Sequence, residues 1–115
     1  MSIINYKDGR PIYEQIAEHY RRMILKGVLE EDEKMPSVRS LAMELSTNPN
    51  TVQKAFGKLL SDGYLYSVAG RGNFVAETKS LVQKQRKDII IRMRRIRTDA
   101  KDLGMDAEEL WEESK

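Results

Sequence analysis

The sequence has no cysteine and no long hydrophobic run among its 115 residues. The absence of cysteine excludes disulfides, thiolate metal sites and thiol nucleophiles, and it fits a reducing environment. The uncharged run at the start, residues 1–6, is too short for a signal peptide or a membrane span. These absences predict a cytoplasmic protein without a membrane partner.

Side chains that could carry catalysis are also scarce. His19 is the only histidine, and its position favours a helix surface over a catalytic role. The pattern contains no paired acids, no metal-ligand cluster and no nucleophile–base set. The sequence therefore predicts a protein that is not an enzyme and that uses neither a cofactor nor a metal.

Hydrophobic residues make up 40% of the chain, enough for a core in a domain of roughly 70–80 residues. Charge lies in blocks that the overall net charge of +2 conceals. Residues 1–78 carry ten basic and ten acidic side chains, residues 79–101 have a net charge of +7, and residues 102–115 have a net charge of −5. We therefore predict a globular domain at 1–78 and a charged helical tail at 79–115.

Three segments of the first domain have the hydrophobic spacing of helices. Pro11 is predicted to be the first residue of the first helix, which ends before Gly27. Ser37 is the predicted cap of a second, short helix, and Asn48 followed by Pro49 begins the third after a three-residue turn. The residues predicted to face the core are Ile12, Ile16, Tyr20, Met23, Ile24, Val38, Leu41, Ala42, Leu45, Val52, Ala55, Phe56, Leu59 and Leu60.

Beyond Gly63, which ends the third helix, the hydrophobic period changes from helical to alternating. Residues 64–68 and 73–76 are predicted strands, and the glycine-bearing segment 69–72 is the turn of a hairpin, the wing. The order helix, short helix, turn, helix, hairpin is that of a winged helix-turn-helix. The predicted fold class is mainly α with a small β-hairpin wing, followed by a short C-terminal helical dimerisation region.

The tail is predicted to be helical for roughly 25 residues from Lys79, judged by its hydrophobic period. Gly104 ends this helix, and Asp106 with Glu109 forms the capping box of a last short helix that contains Trp111. Apolar residues recur in a heptad pattern that also includes Ala100, and another chain must cover them if they are not to stay exposed. We predict dimerisation through this apolar stripe, which consists of Val82, Ile89, Met93, Ile96 and Leu103.

The start of the third helix carries the side chains best suited to contact DNA. A two-helix unit with a three-residue turn exposes that helix start, whose free N–H groups and positive dipole attract phosphate. Asn and Gln can pair bidentately with adenine, Thr can touch phosphate or a thymine methyl group, and Lys can neutralise phosphate. The candidate residues are Asn48, Asn50, Thr51, Gln53 and Lys54, together with Arg39 on the outer face of the preceding helix.

Other interpretations of the same pattern stay open at this stage. The polar side chains could serve only as a cap, a turn and a solvated face. A winged helix can also be a protein–protein module, in which case charge reversal at Arg39 and Lys54 would be tolerated. The tail could fold back on the first domain or act as a basic coiled-coil scaffold. The basic stretch 92–97 could be a solvated face, a phosphate-touching flank or the partner of the acidic segment 106–113 in another chain.

Several short segments resemble the GntR family of bacterial transcription regulators. The resemblance spans residues 11–76, and its motifs are highly specific in combination. They are PIYEQI at 11–16, GVL at 27–29, MPSVRSLA at 35–42, NPNTVQKAF at 48–56, DGYL at 62–65 and GRGNFV at 70–75. The resemblance implies a regulator, expected to be a repressor, that binds double-stranded operator DNA.

In that family the arginine after Pro-Ser-x, the start of the recognition helix and the wing glycine contact operator DNA. Carried onto this sequence, the resemblance implies contacts from Arg39, Asn48, Asn50, Thr51, Gln53 and Gly70, with Ser37 and Arg71 on phosphate. Two positions depart from the family pattern. Asp32 stands where the family usually has glycine, which should change the loop but leave the binding face alone. Gln53 stands where many members have arginine, so their base preference does not transfer.

The short tail resembles the YtrA-like branch of the family, whose two carboxy-terminal helices dimerise and whose members often regulate transporter operons. This resemblance implies a homodimer with two recognition helices in successive major grooves of a pseudo-palindromic operator. No residue set identifies an effector ligand. Because so short a tail is expected to have little volume for a pocket, a small ligand would have to use a groove between domains or between chains.

Overall fold

The structure is a computed structural model that describes residues 3–115. Its elements are α1 (Ile12–Leu25), α2 (Val38–Leu45), α3 (Pro49–Ser61), β1 (Leu65–Val68), β2 (Gly72–Val75), α4 (Lys79–Asp102) and α5 (Ala107–Glu113). The chain divides into two compact units, Met1–Thr78 and Lys79–Lys115. The predicted mainly helical fold with one β-hairpin is confirmed.

The core of the first unit forms where α3 packs against both α1 and α2. Phe56 on α3 is fully buried, and its ring forms a T-shaped pair with the Tyr20 ring from α1, with ring centroids 6.3 Å apart. Ile16 and Leu41 bring the other two helices into the same core. Most of the predicted core residues are buried or half-buried, because each helix turns its apolar face toward the others.

The helix ends follow local sequence signals closely. The Ser37 hydroxyl accepts a hydrogen bond from the backbone N–H of Ser40 at 3.0 Å, which caps α2. Gly63 adopts a left-handed conformation with φ of 87°, which ends the α3 turn at little steric cost. The prediction for Pro11 is wrong by one residue. Its ψ of 147° is extended, so it occupies the capping position and α1 begins at Ile12.

The wing is an antiparallel hairpin in which Leu65 pairs with Val75 and Val68 with Gly72. The first strand begins one residue later than predicted, because Tyr64 lies outside the ladder. The second strand is shifted by one residue, because Gly72 lies inside the ladder and Ala76 outside it. The turn is therefore one residue shorter than the sequence indicated.

A short segment before α2 pairs with the wing, although no pattern in the sequence indicates this pairing. Lys34 forms a bridge to Phe74, and the N–H of Met35 donates to the carbonyl of Asn73 at 2.9 Å. Asp32 adopts φ of 66°, a left-handed conformation that explains why glycine suits this position in the family. Lys34 and Met35, which follow the acidic loop, thus pair with β2 like a short third strand at the edge of the wing sheet.

The second unit consists of α4 and α5, which pack against each other. Gly104 takes φ of 74° between them. Asp106 caps α5 by accepting from the N–H of Glu108 at 3.1 Å, whereas a capping box would direct this bond to Glu109. Ala100, which the heptad pattern includes, is buried in the single chain, whereas the five residues of the predicted stripe are exposed.

Within residues 3–115, none of the helices combines the length and the apolar character needed to span a bilayer.

Candidate nucleic-acid interface

The N-terminal end of α3 presents polar side chains to solvent. Asn48 caps the helix, since its Oδ1 accepts from the N–H of Asn50 at 2.8 Å. The side chains of Asn50 and Gln53 are exposed, and Thr51 is half-buried. Because one side of α3 is fixed in the core through Val52, the opposite side is held rigidly outward. This arrangement can present amide groups to base edges.

Arg39 is the second residue of α2 and is exposed. Within the described part of the chain it has no ion-pair partner, so its guanidinium is available to phosphate or guanine. Ser37, two residues earlier, uses its hydroxyl oxygen as the α2 cap and donates the hydroxyl hydrogen to the Oγ of Ser40 at 2.9 Å. Its backbone lies at the positive end of the helix, where an anion is favoured.

Lys54 is exposed but has an intramolecular contact. Its ammonium lies 4.2 Å from the centroid of the Tyr13 ring on α1. A cation over an aromatic face at this distance contributes about 0.5–1 kcal/mol at an exposed site. The contact holds the Lys54 ammonium beside α1, where its charge is exposed to solvent.

The tip of the wing requires glycine at Gly70, whose φ is 76°. The N–H of Arg71 donates to the carbonyl of Val68 at 2.9 Å, which closes the turn and leaves the Arg71 side chain exposed. An exposed cation at the end of a tight hairpin is suited to a phosphate contact.

Lys34 is a further cation at the wing, and it is not among the contact residues predicted from the sequence. Its side chain lies against Gly72, where an added Cβ would be 3.5 Å from the Lys34 Cε. The position follows from the bridge to Phe74, forty residues along the chain, and no local sequence signal predicts such a pairing.

Tyr66 lies on the same sheet and donates a hydrogen bond from its hydroxyl to the Oδ1 of Asp32 at 2.6 Å. This bond, together with partial burial and the nearby Asp32 and Glu31 charges, raises the pKa of Tyr66 above its usual value. The phenol therefore stays protonated at neutral pH and keeps its donor role.

The apolar stripe is exposed in the single chain along its whole length, from Val82 on α4 to Leu103 directly after the end of this helix. Ile90 and Ile91 are exposed as well, and neither belongs to the predicted stripe. Arg97 forms an ion pair with Glu108 at 2.8 Å, which joins the basic stretch of α4 to α5 of the same chain. The stripe offers the kind of surface that another protein chain covers.

An open groove of about 520 Å³ lies between α4 and α5. Met93, Ile96, Leu110 and Trp111 line it, with the Arg97–Glu108 pair among the polar lining groups. The expectation that the tail has little volume for a pocket is therefore wrong, because the two helices leave this open groove between them.

Three helices, a rigidly presented α3 start, a free arginine on α2 and a basic hairpin define the class of winged helix-turn-helix DNA-binding proteins. Residues 12–75 match the profile of the bacterial regulatory proteins of the gntR family, and the chain belongs to this family. It is thus a member of a family of transcription regulators and not of enzymes.

Similarity to one relative extends over the tail. The chain is 35% identical over 111 residues to the HTH-type transcriptional repressor YtrA of Bacillus subtilis (strain 168), an alignment that covers 95% of this chain and 85% of the relative. The predicted resemblance to the short-tailed, YtrA-like branch is confirmed by this coverage.

Two solved structures support the fold and the class of ligand. A GntR family transcriptional regulator from Listeria monocytogenes superposes with a TM-score of 0.65 at 31% identity, covering 94% of this chain and 97% of that one. The DNA-binding domain of AraR, solved in complex with its operator ORE1, has a TM-score of 0.57 at 34% identity over 66% of this chain and 93% of that one. A domain of this fold thus binds operator DNA in AraR.

Proposed function

We propose that the protein is a sequence-specific transcriptional repressor that binds a pseudo-palindromic operator as a homodimer. The observation that carries this proposal is the exposed start of α3, where the amides of Asn50 and Gln53 are free, together with the exposed and unpaired Arg39 on α2. Amides and a guanidinium are the groups that read adenine and guanine edges in the major groove.

The contacts divide by role. Arg39, Asn50 and Gln53 read bases, whereas Ser37, Asn48, Thr51, Lys54, Gly70 and Arg71 position the protein on the sugar–phosphate backbone. Asn48 and Ser37 combine this role with helix capping, since the free N–H groups beside each cap remain available to phosphate.

Dimerisation through α4 and α5 follows from the exposure of the apolar stripe. Val82, Ile89, Met93 and Ile96 lie within one face of α4, and each is about half exposed in the single chain. A second copy that presents the same face would bury both stripes in an isologous interface. The dimer would then hold two α3 helices for two half-sites about one helical turn apart.

Control of a transporter operon is the further part of this proposal. It is supported by the resemblance of the whole chain, tail included, to the YtrA-like branch, and a relative of that name is a transcriptional repressor. The genes beside the coding sequence on the chromosome test it directly, since an adjacent operon without transport genes would contradict it.

Selection of DNA by the full chain tests the central proposal. The protein is incubated with a library of random duplexes, and the bound fraction is amplified and sequenced over several rounds. We expect an enriched inverted repeat with half-sites separated by about one helical turn, 10–10.5 bp. Enrichment of a single half-site would contradict the dimer, and the absence of any enriched sequence would contradict sequence-specific recognition.

A further inference from the structure

Three side chains form a row across the outer face of the wing sheet. Lys34 bridges to Phe74, and Phe74 pairs in turn with Tyr66. The two aromatic rings stack with centroids 5.7 Å apart. The row faces away from the core, because the side chains on the other face of the sheet are the buried ones, Met35, Leu65 and Val75.

The Lys34 side chain extends along this face toward the turn of the wing. Its Cε lies against Gly72, the residue that follows Arg71 at the hairpin tip. A larger residue at position 72 would occupy the space beside the lysine stem. The wing therefore holds two cations close to its tip, one on the turn and one delivered from the strand-like segment before α2.

Lys34 remains unpaired although it follows the acidic run 30–33 in the sequence. Within residues 3–115 it forms no ion pair, and its side chain is exposed. The carboxylate on its own face is engaged elsewhere, since Asp32 accepts the hydrogen bond from Tyr66 at 2.6 Å. The Glu33 carboxylate accepts from the N–H of Glu30 at 3.3 Å. Asp32 and Glu33, the two acids that directly precede Lys34, thus have hydrogen-bond partners other than the lysine.

We propose that Lys34 contacts a DNA phosphate beside the wing, and that Tyr66 preserves this contact by holding the Asp32 carboxylate away from the lysine. The inference rests on the proposed DNA-binding function, because only a bound duplex brings phosphate to the wing. Tyr66 is a positioning residue in this arrangement, whereas Lys34 touches the ligand.

The first test replaces Lys34 by Gln in the full chain. Affinity is measured against the selected operator and against a random-sequence duplex, since a phosphate contact weakens all sequences alike. We expect at least about fivefold weaker binding to both duplexes, and a salt slope reduced by about 1.8 for two lost phosphate contacts per dimer. Lys34→Arg should keep both properties, because it keeps the charge.

Lys26→Gln is the matched control, because Lys26 is also exposed and unpaired in the described residues but follows α1. It should bind like the unmodified protein. Equal binding by Lys34→Gln and the unmodified protein, while Arg39→Ala weakens binding, overturns the role of Lys34 and leaves the proposed function intact. If the unmodified protein does not bind DNA, the proposed function itself fails.

The second test separates positioning from simple structural support. Tyr66→Phe removes the donor that holds Asp32, so Asp32 becomes free to pair with Lys34, and binding should weaken several-fold. Adding Asp32→Asn to Tyr66→Phe removes the competing charge and should restore the affinity. If the double variant binds no better than Tyr66→Phe alone, Tyr66 acts only through the packing of the wing and this part of the proposal is wrong.

Discussion

Individual side chains of the interface differ in what the folded chain leaves them free to do. Arg39 and Gln53 are exposed and have no partner within the described residues. Asn48 and Ser37 cap helices, and Lys54 rests over the Tyr13 ring. A side chain without a partner contributes the full free energy of its DNA contact. A side chain with an intramolecular partner contributes only the free energy of the DNA contact minus that of the contact it gives up. We therefore expect the largest losses at the free side chains.

Replacing Arg39 by Ala should weaken operator binding by about 1–3 kcal/mol, because a charge-assisted contact to a base or phosphate is lost. A titration of the selected operator by fluorescence anisotropy measures this loss. Arg22→Ala is the control, since Arg22 pairs with Glu18 on α1. Loss of affinity in the control and not in the Arg39 variant would place the DNA-binding surface on a different side of the domain.

Gln53 and Lys54 are neighbours with opposite expected behaviour. Gln53→Ala should relax the sequence preference, because an amide that reads adenine discriminates among bases. Lys54→Ala should weaken all sequences alike and reduce the salt slope by about 0.9 for each lost phosphate contact. Affinities for the operator and for point-substituted operators, measured between about 50 and 200 mM salt, test both statements. A uniform loss in the Gln53 variant would contradict base reading.

At the scale of elements, the wing is joined to the loop before α2, in which backbone strain at Asp32 is balanced against a hydrogen bond. Asp32 adopts a left-handed backbone, which is costly for most residues, and its carboxylate accepts the Tyr66 hydrogen bond. Asp tolerates this conformation better than most side chains. The hydrogen bond offsets part of the remaining cost, so an aspartate can stand where the family usually has glycine.

The variants Asp32→Gly and Asp32→Ala separate these two effects. Both lose the Tyr66 hydrogen bond, whose net value is about 0.5–1.5 kcal/mol. Only the alanine variant keeps the left-handed strain, so it should be less stable than the glycine variant by about 1–2 kcal/mol. Urea unfolding of the full chain measures the difference. An alanine variant as stable as the glycine variant would contradict the positive φ at this position.

The apolar stripe of α4 is the second element with a testable role. Ile96→Glu should dissociate the dimer, because association would dehydrate an unpaired charge. Ile91→Glu is the matched control. Ile91 is 60% exposed against 62% for Ile96, but at 3.6 residues per turn it lies about 160° from Ile89 and Met93. Sedimentation at micromolar concentration should give a monomer for the first variant and a dimer for the second. A monomeric unmodified protein would remove the dimer proposal.

At the scale of the whole molecule, the two compact units have separate tasks in the proposed function. The family profile covers residues 12–75 of the first unit, whereas the similarity to the YtrA repressor also covers the tail. The first unit carries every proposed DNA contact, and the second carries the apolar stripe. Operator affinity should therefore depend on a unit that is proposed to make no DNA contact.

A fragment of residues 1–78 tests this dependence. The fragment keeps every proposed contact residue but loses the apolar stripe. A dimer would bind both half-sites of the operator at once, whereas two separate fragments would bind them independently and weakly. We expect the fragment to fold and to bind the full operator at least ~100-fold more weakly than the intact protein, the low end of the gain from linkage. Titrations of one operator at the same salt compare the two proteins. Equal affinity would assign the tail to ligand sensing or partner recruitment.

Local interactions explain what could be predicted from the sequence. The caps at Ser37 and Asn48 and the left-handed Gly63 each depend on a few neighbouring residues, so their positions are visible in the printed chain. The helical and alternating periods fixed the order of elements, and the motifs around Arg39 identified the family. The candidate DNA contacts on α2, α3 and the wing tip could be predicted from the sequence, because each lies at a defined position in its own helix or turn.

The tertiary structure decided what depends on distant partners. The pairing of Lys34 with Phe74 joins positions forty residues apart, so it placed a cation at the wing that no local pattern indicates. Asp32, two residues before this pairing, has a left-handed backbone and accepts a hydrogen bond from Tyr66, which lies 34 positions further along the chain. In the tail, Ala100 is buried and an open groove lies between α4 and α5 beside Trp111. Heptad spacing fixes which side chains share a face, but only the packed chain decides which of them remain uncovered.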